Sequence, residues 1–489
     1  MNKLALLILT LALPTASWAT LTLAQFDSKM QQQIAQLAHT TSATVYMEVL
    51  NSGQQIFAYN PDTALVPASA SKVMTTSFAL EKLGPGFTYQ TQVLLQGNDL
   101  LVVGSGDPYL VTERLEALAQ TVAARIKHVG TIRLDNSAYT QDYKGLAQFA
   151  GFDGETDASI VSPTSLNFNL LSVTVSPARN GAVISVGPAH NGYAIIRNNV
   201  HLVAGRASGV WMRSLGMQGA QEVFEVDGNL GRSAAAQGLQ LAVTSPEGHF
   251  AYAFAGLLRD HGVTVDVDYG GTTTSPTPAV GQLLAASDSL PFNQLADLYM
   301  TYSNNFMAEQ TFQTLGSAAL GGPADISKSQ QAIAAFLHQR PACQDATMEN
   351  GSGLTWNNKI SGRCFVQTMQ SLASNLSLYT DLIASFPAGE HQGTLASRFA
   401  GAPAGFKPAL VHAKTGTLWS KVATSALVGV TTAGSGQAVL FALVENDTRN
   451  VESVTGSLKA WEDQAVELIQ QLQIQTLSSQ FQDGFSPFL

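Results

Sequence analysis

From Leu23 to Ala38 apolar residues recur at helical spacing, with Leu23, Phe26, Met30, Ile34 and Leu37 on one face, which predicts an amphipathic helix. The period then shortens. Thr44–Val49 and Gln55–Tyr59 are β-prone runs around Asn51-Ser52-Gly53, the pattern of a hairpin. Pro67-Ala68-Ser69 opens a second helical stretch reaching about Leu83, because Pro and Ser are favoured at helix starts. Between Thr88 and about Ser287 short β-type runs dominate, among them Val93–Leu95, Leu100–Val103, Thr131–Leu134, Leu171–Val175 and Tyr193–Ile196. Helices are expected there at Leu110–Lys127 and Gly248–His261, and Gly/Pro-rich breaks fall at Gly104–Pro108 and Gly270–Pro278. Helical spacing returns over Phe292–Leu315, Asp325–His338 and Cys364–Ala373. Two strands, Ala423–Thr431 and Gln437–Glu445, precede a last helix, Ser453–Gln473.

The extreme N-terminus has a different pattern. Met1-Asn2-Lys3 is a short positive segment, and Leu4–Leu13 is apolar except for Thr10. Pro14 follows, and Ser17 and Ala19 place small residues at −3 and −1 of a cleavage site after Ala19. Such a run spans only ~15 Å as a helix, half of a bilayer core of ~30 Å. It is expected to be an export signal rather than an anchor, and the mature chain is expected in the periplasm.

Length and composition narrow the class. The 489 residues suffice for two to four domains at ~100–200 residues each. Apolar residues make up 45%, enough for a sizeable core, whereas only 12% are charged. A net charge of −10 without any basic run argues against a nucleic-acid partner. The two cysteines, Cys343 and Cys364, are either a disulfide or two buried thiols, and neither has metal-ligand spacing. No cofactor or metal is expected. The tail Thr476–Leu489 carries Phe481, Phe485 and Phe488 without a basic face, so at most peripheral membrane contact is expected.

Three short motifs carry candidate chemistry. Ser69-Ala70-Ser71-Lys72 is the sole S-x-x-K of the chain, and on a helix the i, i+3 spacing brings the Lys72 amine to the Ser69 hydroxyl. Ser303-Asn304-Asn305 puts poor helix formers inside the Phe292–Leu315 stretch, suggesting a bend that faces a cleft. Lys414-Thr415-Gly416-Thr417 precedes the strand pair, and a Lys, two hydroxyls and a Gly on an edge strand suit a carboxylate-bearing peptide. Taken singly, the first reads equally well as a capping Ser with a surface Lys, the second equally well as a polar patch or helix start, and the third rather more readily as a strand-entry turn.

Together, and in this order, they resemble the S-x-x-K, S-D-N and K-T-G set of serine β-lactamases and penicillin-binding proteins, with Asn304 where the usual form has Asp. The long gap between Ser69 and Ser303 coincides with the β-rich texture. It resembles the insertion of the low-molecular-mass D-alanyl-D-alanine carboxypeptidase/endopeptidases of the class C type. Gly104–Pro108, Ser162-Pro163, Leu166–Asn169, Ser303–Glu309, Asn350–Leu354 and Gly393–Leu395 extend the likeness over nearly the whole mature chain. Asn350 and Ser105 depart from the usual Asp and Gly.

The resemblance implies an α/β (α+β) fold: a split serine β-lactamase/DD-peptidase-like catalytic domain, its antiparallel sheet flanked by helices, with a β-rich inserted domain. The corresponding division is a signal peptide 1–19, catalytic parts 20–87 and 288–489, and an insertion 88–287 with a nested subdomain around 165–240. It also implies Ser69 as nucleophile, Lys72 as base with its pKa lowered by burial and Lys414, and Ser303 as proton relay. Asn305, Lys414, Thr415 and Thr417 would bind substrate, and the backbone N–H groups of Ser69 and Thr417 would form the oxyanion hole. The implied partners are peptidoglycan stem peptides and cross-links, and β-lactams as covalent inhibitors.

Other groups compete weakly. No triad can be placed among the histidines; His412 is expected to be packed or at the surface. Asp153, Glu155 and Asp157 form a small acidic patch that reads as a solvated loop or as a contact for a diamino-acid amine. A β-lactamase would need an activated deacylating water, and no Glu-x-x-Leu-Asn box is present. A non-catalytic penicillin- or peptidoglycan-binding module would need no nucleophile–base pair.

Overall fold

The computed structural model describes residues 18–140, 159–188, 191–275 and 279–475. The leader residues 1–17, the acidic patch at Asp153, Glu155 and Asp157, and the tail 476–489 lie outside the described residues.

The central sheet is built from both ends of the chain. Its order is His412–Leu418, Ala423–Thr432, Ala438–Asp447, Thr41–Val49, Gln55–Tyr59, and all neighbours are antiparallel. Thr41–Val49 and Ala438–Asp447 are buried along nearly their whole length because helices cover both faces of the sheet. One face packs on Val73, Phe78, Phe292, Met300, Phe306 and Phe365. The other packs on Phe26 and Met30 of the helix Leu23–Gln36 and on Trp461, Val466 and Ile469 of the helix Glu452–Gln471. Thr22 and Gln25 form a capping box that fixes where the first helix begins.

The strands from Gln90 to Asp288 form sheets of their own. A mixed sheet gathers Thr264–Val267, His128–Asp135, Asp99–Val103, Gln90–Gln96 and Gln282–Asp288, with Thr272–Thr273 beside His128–Asp135. Asp99–Val103 and His128–Asp135 are parallel, joined by the helix Thr112–Ala123, which buries Leu115, Leu118 and Val122 on the sheet. Two three-stranded sheets, spanning residues within 170–242, share a small core of Leu171, Val173, Phe224 and Val226.

Local departures from the sequence pattern have identifiable causes. The expected helix Phe292–Leu315 is two helices, Phe292–Thr301 and Asn305–Leu320. Ser303 adopts φ 58°, and the Asn304 side chain caps the second helix by accepting from Met307 N at 2.9 Å. The segment after Pro67 starts as a 3-10 turn, Ala68–Ser71, and becomes the α-helix Lys72–Lys82. A short helix, Leu376–Ala384, was not foreshadowed by the pattern. Cys343 and Cys364 are bonded, with Cα atoms 4.8 Å apart, joining the turn Pro341–Cys343 to the helix Gly362–Leu372. Among the described residues no helix is long and apolar enough to cross a membrane, and no group of His, Cys, Asp and Glu could hold a metal ion.

Candidate active site

Ser69 lies in the 3-10 turn that leads into the helix Lys72–Lys82 and is half-buried; Lys72, one turn on, is completely buried. The turn is pressed against the sheet edge. A Cβ on Gly416 would collide with Pro67 O and stand 3.1 Å from Ala70 N, so only glycine lets the edge strand approach this closely. Ala68, at φ 48°, turns the chain in a left-handed conformation immediately before the serine.

Lys72 Nζ is 3.0 Å from Ser69 Oγ, and it donates to Asn305 Oδ1 at 2.7 Å and to Ser352 O at 2.7 Å. Asn305 is the first residue of the helix Asn305–Leu320 and points back across the cleft because the break at Ser303–Asn304 re-aims the chain. Ser303, on that break, accepts from Lys414 Nζ at 2.9 Å. Lys414 also donates to its neighbour's carbonyl, Thr415 O, at 2.8 Å. Burial, and then the Lys72 cation, hold the Lys414 amine well below the ordinary lysine range. Thr415 and Thr417 share one face of the edge strand; Thr415 Oγ1 is bonded to Thr394 Oγ1 at 2.9 Å, and Thr417 is half-buried opposite Ser425.

All seven residues singled out in the sequence therefore fall on three elements that meet at one cleft, the nucleophile turn, the helix break and the sheet edge. His412 is half-buried on the same edge strand, paired with Val430, and burial lowers its pKa. Three further contributors lie in stretches that carry the family likeness, but the sequence alone assigns them no role. Ser352 acts through its carbonyl, Thr394 braces Thr415, and Glu309 is buried with its carboxylate accepting from Gly351 N and Ser352 N at 3.1 and 3.0 Å.

An antiparallel sheet flanked by helices, with Ser, Lys, Ser, Asn and Lys converging at its edge, defines a serine peptidase of the penicillin-recognising class. The chain belongs to the D-Ala-D-Ala carboxypeptidase 3 (S13) family, which it matches over residues 23–467. It is 27% identical over 465 residues to the D-alanyl-D-alanine carboxypeptidase of Actinomadura sp. (strain R39), covering 89% of this chain and 83% of that protein. To the D-alanyl-D-alanine carboxypeptidase DacB of Haemophilus influenzae it is 24% identical over 424 residues, 83% of this chain and 86% of the relative. The crystal structure of penicillin binding protein 4 (dacB) from Haemophilus influenzae superposes with a TM-score of 0.73 at 24% identity, over 91% of this chain and 99% of that one. Bd3459, a predatory peptidoglycan endopeptidase from Bdellovibrio bacteriovorus, shares the fold at a TM-score of 0.51 and 15% identity, over 88% and 92% of the two chains.

Proposed function

We propose that the protein is an exported, penicillin-sensitive DD-peptidase that hydrolyses peptidoglycan, cleaving after D-Ala at a stem-peptide terminus or in a D-Ala–diamino-acid cross-link. The observation that carries this reading is the environment of the Lys72 amine. Neutral, it has two N–H groups and one lone pair. Asn305 Oδ1 and Ser352 O, which only accept, take the two N–H groups, and this leaves the lone pair for the proton of Ser69 Oγ.

Ser69 attacks the carbonyl carbon of the penultimate D-Ala while its proton passes to Lys72. The developing oxyanion is held by the backbone N–H groups of Ser69 and Thr417, each donor worth on the order of 3 kcal/mol. Ser303 passes its proton to the leaving amine and is reprotonated by the proton that Lys72 took from Ser69, and the substrate's terminal carboxylate lies on Lys414, Thr415 and Thr417. Water then attacks the acyl ester, regenerating Ser69. A β-lactam presents its amide and carboxylate to the same groups and acylates Ser69. The leader ending at Ala19 takes the chain to the periplasm, where this substrate lies.

The test is hydrolysis of a D-Ala-D-Ala-terminated pentapeptide and of a cross-linked muropeptide dimer by wild type and Ser69→Ala. The reading predicts turnover of at least one substrate by wild type and none by the variant. Turnover that survives in the variant, or an active serine acylase that ignores both substrates, contradicts it.

A further inference from the structure

The segment Asn350–Gly353 belongs to no helix or strand, yet all four residues are buried. It runs between two elements of the cleft. A Cβ on Gly351 would stand 2.5 Å from Phe312 Cβ and 2.9 Å from Ala308 O, so the loop lies directly on the helix Asn305–Leu320. Gly353, at φ +82°, approaches Ala68 O so closely that no Cβ fits, and its Cβ position is 3.0 Å from Ser69 N. The loop is thus seated against the nucleophile turn on one side and the Asn305 helix on the other. Thr75 Oγ1 donates to Gly351 O at 2.8 Å and Asn350 Oδ1 accepts from Gly353 N at 3.0 Å, while Glu309 takes the two N–H groups that face the helix. Each of its carboxylate oxygens accepts one backbone N–H, from Gly351 at 3.1 Å and from Ser352 at 3.0 Å. The Ser352 carbonyl that Lys72 reaches belongs to the next peptide unit, whose Gly353 N–H donates to Asn350 Oδ1 at 3.0 Å, so Glu309 sets it through the Ser352 N–H immediately before it.

We infer that Glu309 is a positioning residue for acylation: it clamps the Gly351–Ser352 backbone so that the Ser352 carbonyl takes one N–H of Lys72 and the lone pair of the amine stays on Ser69. This rests on the reading of Lys72 as the base. Glu309 follows Asn305 by one helical turn, so a single helix sets both acceptors of the amine, one directly and one through the loop. Its charge acts in the same place. Burial pushes the Glu309 carboxyl up, while hydrogen bonds from Ser352 and Gly351 and the Lys72 cation oppose that rise. Two charges therefore face Lys72, the Glu309 carboxylate from the helix and Lys414 from the edge strand. A Gln at position 309 would keep the shape but turn an NH₂ towards one of two N–H donors and remove the anion.

The experiment measures acylation of the mature protein by benzylpenicillin, resolving the acylation rate constant from the non-covalent dissociation constant across pH. Glu309→Gln and Glu309→Asp are run beside wild type, each normalised to its acylatable fraction and checked for Tm. In Glu309→Gln the rate constant is expected to fall on the order of 10–100-fold with the dissociation constant roughly unchanged. Without the anion the Lys72 cation is less favoured, so the acid limb of the pH profile moves to lower pH. Glu309→Asp keeps the charge but not the reach, so its acid limb stays in place while the rate constant falls by a smaller factor. A wild-type rate constant in Glu309→Gln, or a loss confined to the dissociation constant, overturns the inference. If Glu309→Gln does not fold, an undiminished rate constant in Glu309→Asp overturns it. A wild type that is never acylated overturns the parent reading instead.

Discussion

Lys72 and Lys414 are both fully buried, and in the proposed mechanism they have different tasks. Lys72 meets acceptors that shape an amine for taking a proton, whereas Lys414 meets Ser303, Thr415 O and the repulsion of Lys72. Its folded pKa lies below the ordinary 10.5, so in the free enzyme the amine loses its charge as pH rises through that lowered value. An arriving carboxylate favours the charged form. KM for a peptide with a free C-terminal carboxylate is therefore expected to rise with pH while still below the ordinary lysine range, and a C-terminally amidated analogue to show no such rise. Parallel KM–pH profiles for the two peptides contradict this role. Ser69, Lys72 and Lys414 were legible because their chemistry is local, an i, i+3 spacing and a compact tetrapeptide. Ser352 and Thr394 fall in stretches that carry the family likeness, but their roles were not legible. A carbonyl is common to every residue type, and a Thr–Thr contact across the chain leaves no periodic trace.

The helix Glu452–Gln471 and the strand Ala438–Asp447 meet through a buried pair of carboxyls, Glu462 and Glu445, both without exposed surface. Arg398 donates to Glu462 at 2.9 Å and to Asp463 at 2.9 Å, so Glu462 is the charged partner and Glu445 the one that burial and its neighbour hold protonated. A carboxyl whose pKa is raised on folding contributes stability at low pH. That contribution is lost as pH climbs from the ordinary value of 4.5 towards the raised one. Glu445→Gln removes the titration and keeps a donor for Glu462. Its Tm relative to wild type is expected to increase as pH climbs above the ordinary value of 4.5; two parallel Tm–pH curves contradict the assignment. At this level the sequence was a good guide where signals agree and a poor one where contacts decide. Polar Ser303 and Asn304 inside an apolar helical pattern announced the break. The left-handed Ser303 that re-aims Asn305 is fixed by Asn304 capping the next helix, a geometry that composition does not specify.

The two ends of the chain close one sheet, and the described strands between Gln90 and Asp288 form sheets of their own that join it through side-chain contacts. One of these contacts is a two-point clamp. The Gln310 side chain, on the helix that starts with Asn305, accepts from Ser162 N at 3.1 Å and donates to Ser162 O at 2.9 Å, all within buried surroundings. Gln310→Ala leaves a buried donor and acceptor unpaired and is expected to cost about 2 kcal/mol or more in denaturant unfolding. A variant within 0.5 kcal/mol of wild type would show the clamp to be incidental. The β-rich texture of the stretch between the first two motifs was visible in the sequence. Its arrangement into one mixed and two small sheets was not, because register and strand order are set by pairings between distant residues.

The central claim is that Ser69 is the acylated nucleophile. Its most direct test is intact mass and peptide mapping of the mature protein after brief exposure to benzylpenicillin, beside Ser69→Ala. The account predicts one benzylpenicilloyl group per wild-type chain, on the peptide containing Ser69, and no adduct on the variant. An adduct elsewhere, an adduct on Ser69→Ala, or an unmodified wild type with the drug intact would contradict it.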